Sequence, residues 1–127
     1  MAVVFIDRFA VLAAGSAACG FTPIVDDEGL LAAAITRPQT TIFGLDAYPT
    51  QWDKAAALMH SLANNQALVD GNKRTAWASA WLFLAINAVV HLSSPPAMDV
   101  DAAEQFVLSV SNGQMPWQKI SEGLRTF

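Results

Sequence analysis

Charge is what this chain has least of. Only 14% of its 127 residues are charged, against roughly 25% in an average globular protein. Seven basic side chains face eleven acidic ones, a net of −4. So small a basic complement leaves no stripe for a nucleic-acid backbone, and no direct nucleic-acid partner is expected. Disorder is excluded from the other side, because 54% of the residues are apolar and disordered chains have the opposite balance. The one cysteine, Cys19, permits no internal disulfide and suits a reducing cytosol, so a cytoplasmic location is expected. Long hydrophobic runs are missing too. Ala76–Val90 is nearly all apolar, but it spans fifteen residues and contains Ser79 and Asn87, whereas a membrane span needs about 20. Residues 1–19 imitate a secretory leader, yet Asp7 and Arg8 interrupt the apolar run and no basic residue precedes it. Both segments read as parts of a soluble core with no membrane partner.

At this length one domain, 1–127, is expected, burying roughly two-thirds of the surface its unfolded chain would expose. Residues 4–18 read as a first helix, with Phe5, Phe9, Leu12 and Ala13 on its buried stripe and Gly20 as its stop. Asp26 or Asp27 caps a second helix through Leu30, Leu31, Ala34 and Ile35, which ends near Arg37 because of Pro38. Residues 38–49 break the pattern with Thr40, Thr41, Ile42 and Gly44 and predict a short flap or hairpin, near 38–48. Thr50 caps a third helix with Asp53 in the reciprocal position. Its stripe is Ala55, Leu58, Met59 and Leu62, and Asn64-Asn65 ends it. A fourth helix, about 71–88, is apolar on all sides from Ala76 onward, which predicts a central post wrapped by the others. The Pro95-Pro96 pair then introduces a fifth helix, capped by Asp99 or Asp101 and closed by Asn112-Gly113. Its inward residues are Ala103, Phe106, Val107 and Val110. Pro116 opens a sixth with Trp117, Ile120 and Leu124. The fold class is all-α: about six helices around the 71–88 helix, plus a small flap.

The unusual polar chemistry sits in NNQALVDGNKRTAW, residues 64–77. Asp70, Lys73 and Arg74 immediately precede the most apolar helix. Gly71 allows a tight turn, and the amides that follow are the unpaired donors of a helix start. With Lys73 and Arg74 they make a compact anion site. A phosphate there would repel Asp70 unless that carboxylate holds Mg²⁺, which takes one or two carboxylates plus phosphate oxygens. Asn72 can add a neutral hydrogen bond to phosphate or metal. No G-x-x-x-x-G-K-[ST] loop is present. Local spacing serves equally a capping Asp70 with two solvated cations, so the physics stops at a candidate nucleotide-phosphate site.

The run VDGNKRTAW, Val69–Trp77, resembles the core motif of the Fic/Doc family, specifically its Doc branch, the toxins of Phd/Doc toxin–antitoxin pairs. The Doc pattern reads approximately H-x-F-x-D-G-N-K-R-T, and this chain matches it from Asp70 to Thr75. Arg37-Pro38, Phe43-Gly44 and Tyr48–Thr50 also recur in Doc-like proteins. Adenylylating Fic proteins carry G-N-G-R-x-x-R instead; here Lys73 stands at the second glycine and Trp77 at the second arginine. The resemblance therefore implies a kinase-like toxin that moves the terminal phosphate of ATP to a threonine of elongation factor Tu and halts translation. It implies Asp70 for Mg²⁺, Lys73 and Arg74 for phosphates with Gly71 and Asn72 in support, and a flap at Thr40, Thr41, Ile42 and Phe43 that positions the target. The implied partners are elongation factor Tu and a Phd-type antitoxin bound through its C-terminal segment. Adenylyl transfer and a purely antitoxin-binding, co-regulatory role are the alternatives.

One departure matters most. The family's catalytic histidine falls at Gln66, and its phenylalanine at Leu68. Histidine suits the general base because its pKa lies near neutrality. Glutamine cannot take a proton, and losing such a base typically costs about 10²–10⁴-fold in rate. The expectation is a chain that is inactive or impaired. A natural degenerate copy and a deliberate His→Gln replacement would both look like this. His60 reads as a partly exposed helix residue, His91 as solvent-facing, and Cys19 as a small packed residue without a basic neighbour.

Overall fold

The computed structural model describes residues 2–91 and 98–127, in six helices and one two-stranded hairpin. In chain order these are α1 (Arg8–Cys19), α2 (Glu28–Thr36), a 3-10 turn (Arg37–Gln39), β1 (Thr41–Ile42), β2 (Leu45–Asp46), α3 (Gln51–Asn64), α4 (Asn72–Ile86), α5 (Val100–Ser111) and α6 (Trp117–Leu124). The all-α plan with a small flap is the one that periodicity and capping predict.

Local chemistry sets most of the boundaries. Asp27 caps α2 by accepting from the Leu30 amide at 3.0 Å. Thr50 and Asp53 form the reciprocal box at the start of α3. Gly20 ends α1 at φ 77°, where a side chain would be strained. Asp99 caps α5. The Pro95-Pro96 lead-in falls outside the described residues.

Two expectations need correction. The first helix starts at Arg8 rather than residue 4, with Asp7 as its cap. The carboxamide of Asn87 takes both the N–H and the C=O of Val4, at 2.8 Å each, which ties that backbone to the end of α4. The later start also turns the helix. Val11 and Gly15 face inward, and Phe9 lies 80% exposed instead of lining the core.

The fourth helix is not covered all round. From Ala76 onward, Ala76, Ser79, Ala80, Phe83 and Leu84 are buried, whereas Trp77, Trp81 and Leu82 are half-buried and Ile86 reaches solvent. Its buried face is small because α1 comes close: a Cβ on Gly15 would lie 2.5 Å from Thr75 Oγ1. The centre is the pair α3–α4. Residues Lys54–Met59, Leu62 and Ala63 of α3 are all buried, and α3 packs against α2, α4, α5 and α6. No helix among the described residues is long and apolar enough to cross a membrane.

Candidate functional site

The connection from α3 to α4 carries the site, and three features fix its course. Asn65 ends α3, and its carboxamide donates to the Leu30 carbonyl at 2.9 Å while accepting from Ala67 N at 3.2 Å. The segment before α2 pairs with the connection as a short antiparallel bridge, Val25 opposite Leu68. Its bonds run from Asp26 N to Ala67 O at 2.8 Å and from Val69 N to Ile24 O at 2.9 Å. Asn72, at the start of α4, then folds its carboxamide back onto Leu68. It accepts from the Leu68 amide at 3.0 Å and donates to the Leu68 carbonyl at 2.9 Å.

These ties bury Ala67 and Leu68 and push Gln66, Val69 and Asp70 outward. Gln66 adopts φ 58°, a left-handed conformation uncommon for a residue with a side chain. Its Oε1 accepts from Asn72 Nδ2 at 3.4 Å. Gly71, at φ 82°, begins α4 without a side-chain cap, so no side chain takes the first-turn amides. Gly71 is required on two counts: its φ, and a Cβ there would come 2.8 Å from Cys19 Sγ.

Gln66, Asp70, Gly71, Asn72, Lys73 and Arg74 line one cleft of about 490 Å³. The sequence-predicted residues are thus brought together. Lys73 and Arg74 are exposed and form no ion pair among the described residues. Two cations and the positive end of a fifteen-residue helix therefore face the same space, an arrangement that attracts phosphate. Asp70 Oδ1 accepts from Gly71 N at 2.7 Å, leaving its other oxygen clear of that bond. No group of three metal-ligating side chains exists among the described residues. One accessible carboxylate beside an anion site suits Mg²⁺ delivered with a nucleotide rather than a metal caged by protein alone.

Sequence reasoning missed two walls of this cleft, Cys19 and Phe21. They arrive from the end of α1, and nothing in their local pattern signals it. Cys19 is half-buried, with its Sγ 3.9 Å from the Gly71 carbonyl.

The flap residues Thr40, Thr41, Ile42 and Phe43 do not line the cleft. They form β1 and the tip of a hairpin in which Thr41 pairs with Asp46 and Ile42 with Leu45. Phe43 and Gly44 both have positive φ, as a two-residue hairpin turn demands, and the Phe43 ring is fully exposed. The hairpin's root is anchored by residues that sequence analysis did not single out for it. Lys54, only 3% exposed, pairs with Asp46 of β2 at 3.1 Å and donates to the Tyr48 and Pro49 carbonyls. Arg37 donates to the Tyr48 hydroxyl at 2.7 Å and to Ser61 Oγ at 3.0 Å, and its Nη1 lies 2.7 Å from His60 Nδ1. An arginine can only donate, so that Nδ1 is the unprotonated acceptor. Burial and the adjacent Arg37 charge hold the His60 pKa below its ordinary value. Neither His60 nor His91 lines the cleft.

Comparison with known proteins places the chain in a family. A model described as the Fic/DOC family matches residues 8–84, from α1 through most of α4. Toxin Doc of Mycolicibacterium smegmatis is 52% identical over 123 residues, which cover 97% of this chain and 92% of that protein. No solved structure matches the chain significantly. The family model spans more than half of the chain and the relative nearly all of it: the chain belongs to the Fic/DOC family.

Proposed function

We propose that this chain is a toxin of a toxin–antitoxin module, built to transfer the γ-phosphate of ATP to a threonine of elongation factor Tu, and that Gln66 disables the transfer. The observation that carries the reading is the convergence of Lys73, Arg74, Asp70 and an uncapped helix start in one cleft, with Gln66 at its edge. Similarity to a protein named Toxin Doc over nearly the whole chain supports the module assignment.

In the reaction, the threonine oxygen attacks the γ-phosphorus. The bond from that phosphorus to the β,γ-bridging oxygen breaks, and ADP departs. The hydroxyl proton would have to go to a base at position 66, the role a histidine there would fill and Gln66 does not. Lys73, Arg74 and the first-turn amides hold the phosphates and offset the charge that builds in the transition state. Asp70 would hold Mg²⁺, which neutralises phosphate charge when bound. Asn72 acts one step back: its carboxamide is spent on Leu68, so it shapes the loop that presents the other groups. The hairpin, fixed at its root by Lys54 and Arg37, offers Thr40–Phe43 to the target. A Phd-type antitoxin would cover apolar surface that is otherwise wet, and Phe21, Ile24 and Val69 beside the cleft are such surface.

Gln66 can fill the histidine's space and hydrogen-bond a hydroxyl, but it accepts no proton. That favours one second reading, in which the chain only binds an antitoxin. The test is label transfer to elongation factor Tu by Gln66→His, with Mg²⁺ and ATP labelled at the α- or the γ-phosphate. Transfer of γ-label alone is expected. Transfer of α-label would make the family reaction here adenylylation, and transfer of neither would move the binding role to first place.

A further inference from the structure

A second cavity adjoins the phosphate cleft and has no role in the account above. It is a groove of about 550 Å³ between α4 and α5, and Lys73 and Arg74 line it as well as the cleft. Past those two cations its character changes. Trp77, Val107 and Leu108 form apolar wall, with the single carboxylate of Glu104 among them. Leu108 and Val100, also lining residues, are large apolar side chains left exposed.

We infer that this groove seats the nucleoside end of the nucleotide, with the base laid against Trp77. The inference rests on the phosphate-cleft reading and extends it. If the transferred phosphate sits beside position 66, the rest of the nucleotide must lead away from Gln66. Lys73 and Arg74 border both spaces, so a chain of phosphates that follows them passes from the polar cleft into the apolar groove. A nucleoside triphosphate has that same polarity along its length, anionic at one end and flat and apolar at the other. The two cavities, about 490 and 550 Å³, together match the upper end of the roughly 300–1,000 Å³ usual for one bound ligand.

Trp77 is also held as a platform should be. Its ring makes edge contacts with Trp81 at 5.5 Å, Phe127 at 5.3 Å and Phe106 at 6.2 Å between centroids. Aromatic neighbours on several sides fix the indole before any ligand arrives, so little rotamer freedom remains to be lost on binding. Stacking of a base on an aromatic side chain carries roughly 5- to 150-fold in affinity.

The test is calorimetric binding of two probes, MgATP and magnesium tripolyphosphate, to the chain as it stands, to Trp77→Leu and to Leu108→Arg. Tripolyphosphate has the phosphates without the nucleoside. Leu108 is at the surface, so its replacement leaves the fold intact even if Trp77→Leu does not fold. The added arginine charge can only favour a polyanion, which makes any loss of ATP affinity a matter of the base. The expected result is MgATP weakened by at least fivefold in either variant, with tripolyphosphate unchanged or tighter. An unchanged ratio of MgATP to tripolyphosphate affinity in Leu108→Arg overturns the inference. If the parent chain binds neither probe, the phosphate-cleft reading itself fails and takes this one with it.

Discussion

Asn72 grips Leu68 by both polar groups of one residue, accepting from its amide at 3.0 Å and donating to its carbonyl at 2.9 Å. A carboxamide is the one side chain that does both in the space available, and it does so across the turn that contains Asp70 and Gly71. The grip holds the loop against the start of α4, so Lys73, Arg74 and the position-66 side chain keep a fixed relation.

Asn72→Ala should therefore cost more than a surface substitution. Leu68 is buried, and leaving its amide and carbonyl unpaired costs about 1–3 kcal/mol. Urea denaturation measures that loss. MgATP affinity should fall with it, although Lys73 and Arg74 are untouched. Asn72→Asp keeps the acceptor and loses the donor, so its cost should lie between.

The hairpin gives a prediction of opposite kind. Lys54→Met removes the buried ammonium itself and leaves Asp46, whose side chain is 57% exposed, to water, so its global cost should stay below the roughly 3–5 kcal/mol of stranding a buried charge. What it removes is the donor for Asp46 and for the Tyr48 and Pro49 carbonyls. Amide exchange across Thr40–Ala47 should accelerate while that of α3 and α4 stays slow. Asp46→Asn, which leaves the buried ammonium without its carboxylate, should destabilise the whole domain more than Lys54→Met does. Denaturant midpoints of the two variants compare them.

His60 makes stability depend on pH in a definite direction. Its pKa is lowered in the fold, by burial first and by Arg37 second, so the unfolded chain binds the proton more readily. Stability then rises with pH through this window. The contribution is fully present above the unfolded value of about 6.5 and is lost as pH falls through the lower folded value. Protonation also turns Nδ1 into a donor facing the Arg37 guanidinium. Denaturant midpoints at pH 7.5 and pH 5 should show the loss, and His60→Gln should flatten it.

How much of this was legible beforehand depends on range in the sequence. Caps are local, and Asp27, Gly20, Thr50 with Asp53, and Asp99 stand where side-chain spacing places them. The Phe43-Gly44 hairpin is local too. The run from Asp70 to Arg74 could be read because all of its members fall on one turn. Cys19 and Phe21 could not, since they reach the cleft from about fifty residues away along the chain. Arg37, Tyr48 and His60 meet only once α3 has folded under the 3-10 turn. The start of the first helix at Arg8 is set locally by the Asp7 cap, against an apolar stripe that runs on through Phe5; only the tie from Asn87 to Val4 lies beyond local reach. Among the described residues the buried hydroxyls of Thr75 and Ser79 have no hydrogen-bond partner; apolar periodicity alone assigns that face to larger residues, and the close approach of Gly15 explains why position 75 is small.

The central claim is that position 66 decides between a working and a silent toxin. The direct measurement is the rate of γ-label transfer from ATP to elongation factor Tu by Gln66→His relative to the chain carrying Gln66, at equal MgATP saturation. Restoring a general base should raise the rate by about 10²–10⁴-fold, with MgATP affinity little changed because Lys73, Arg74 and the helix start are the same in both. Equal rates in the two proteins, whether both fast or both absent, would contradict the account.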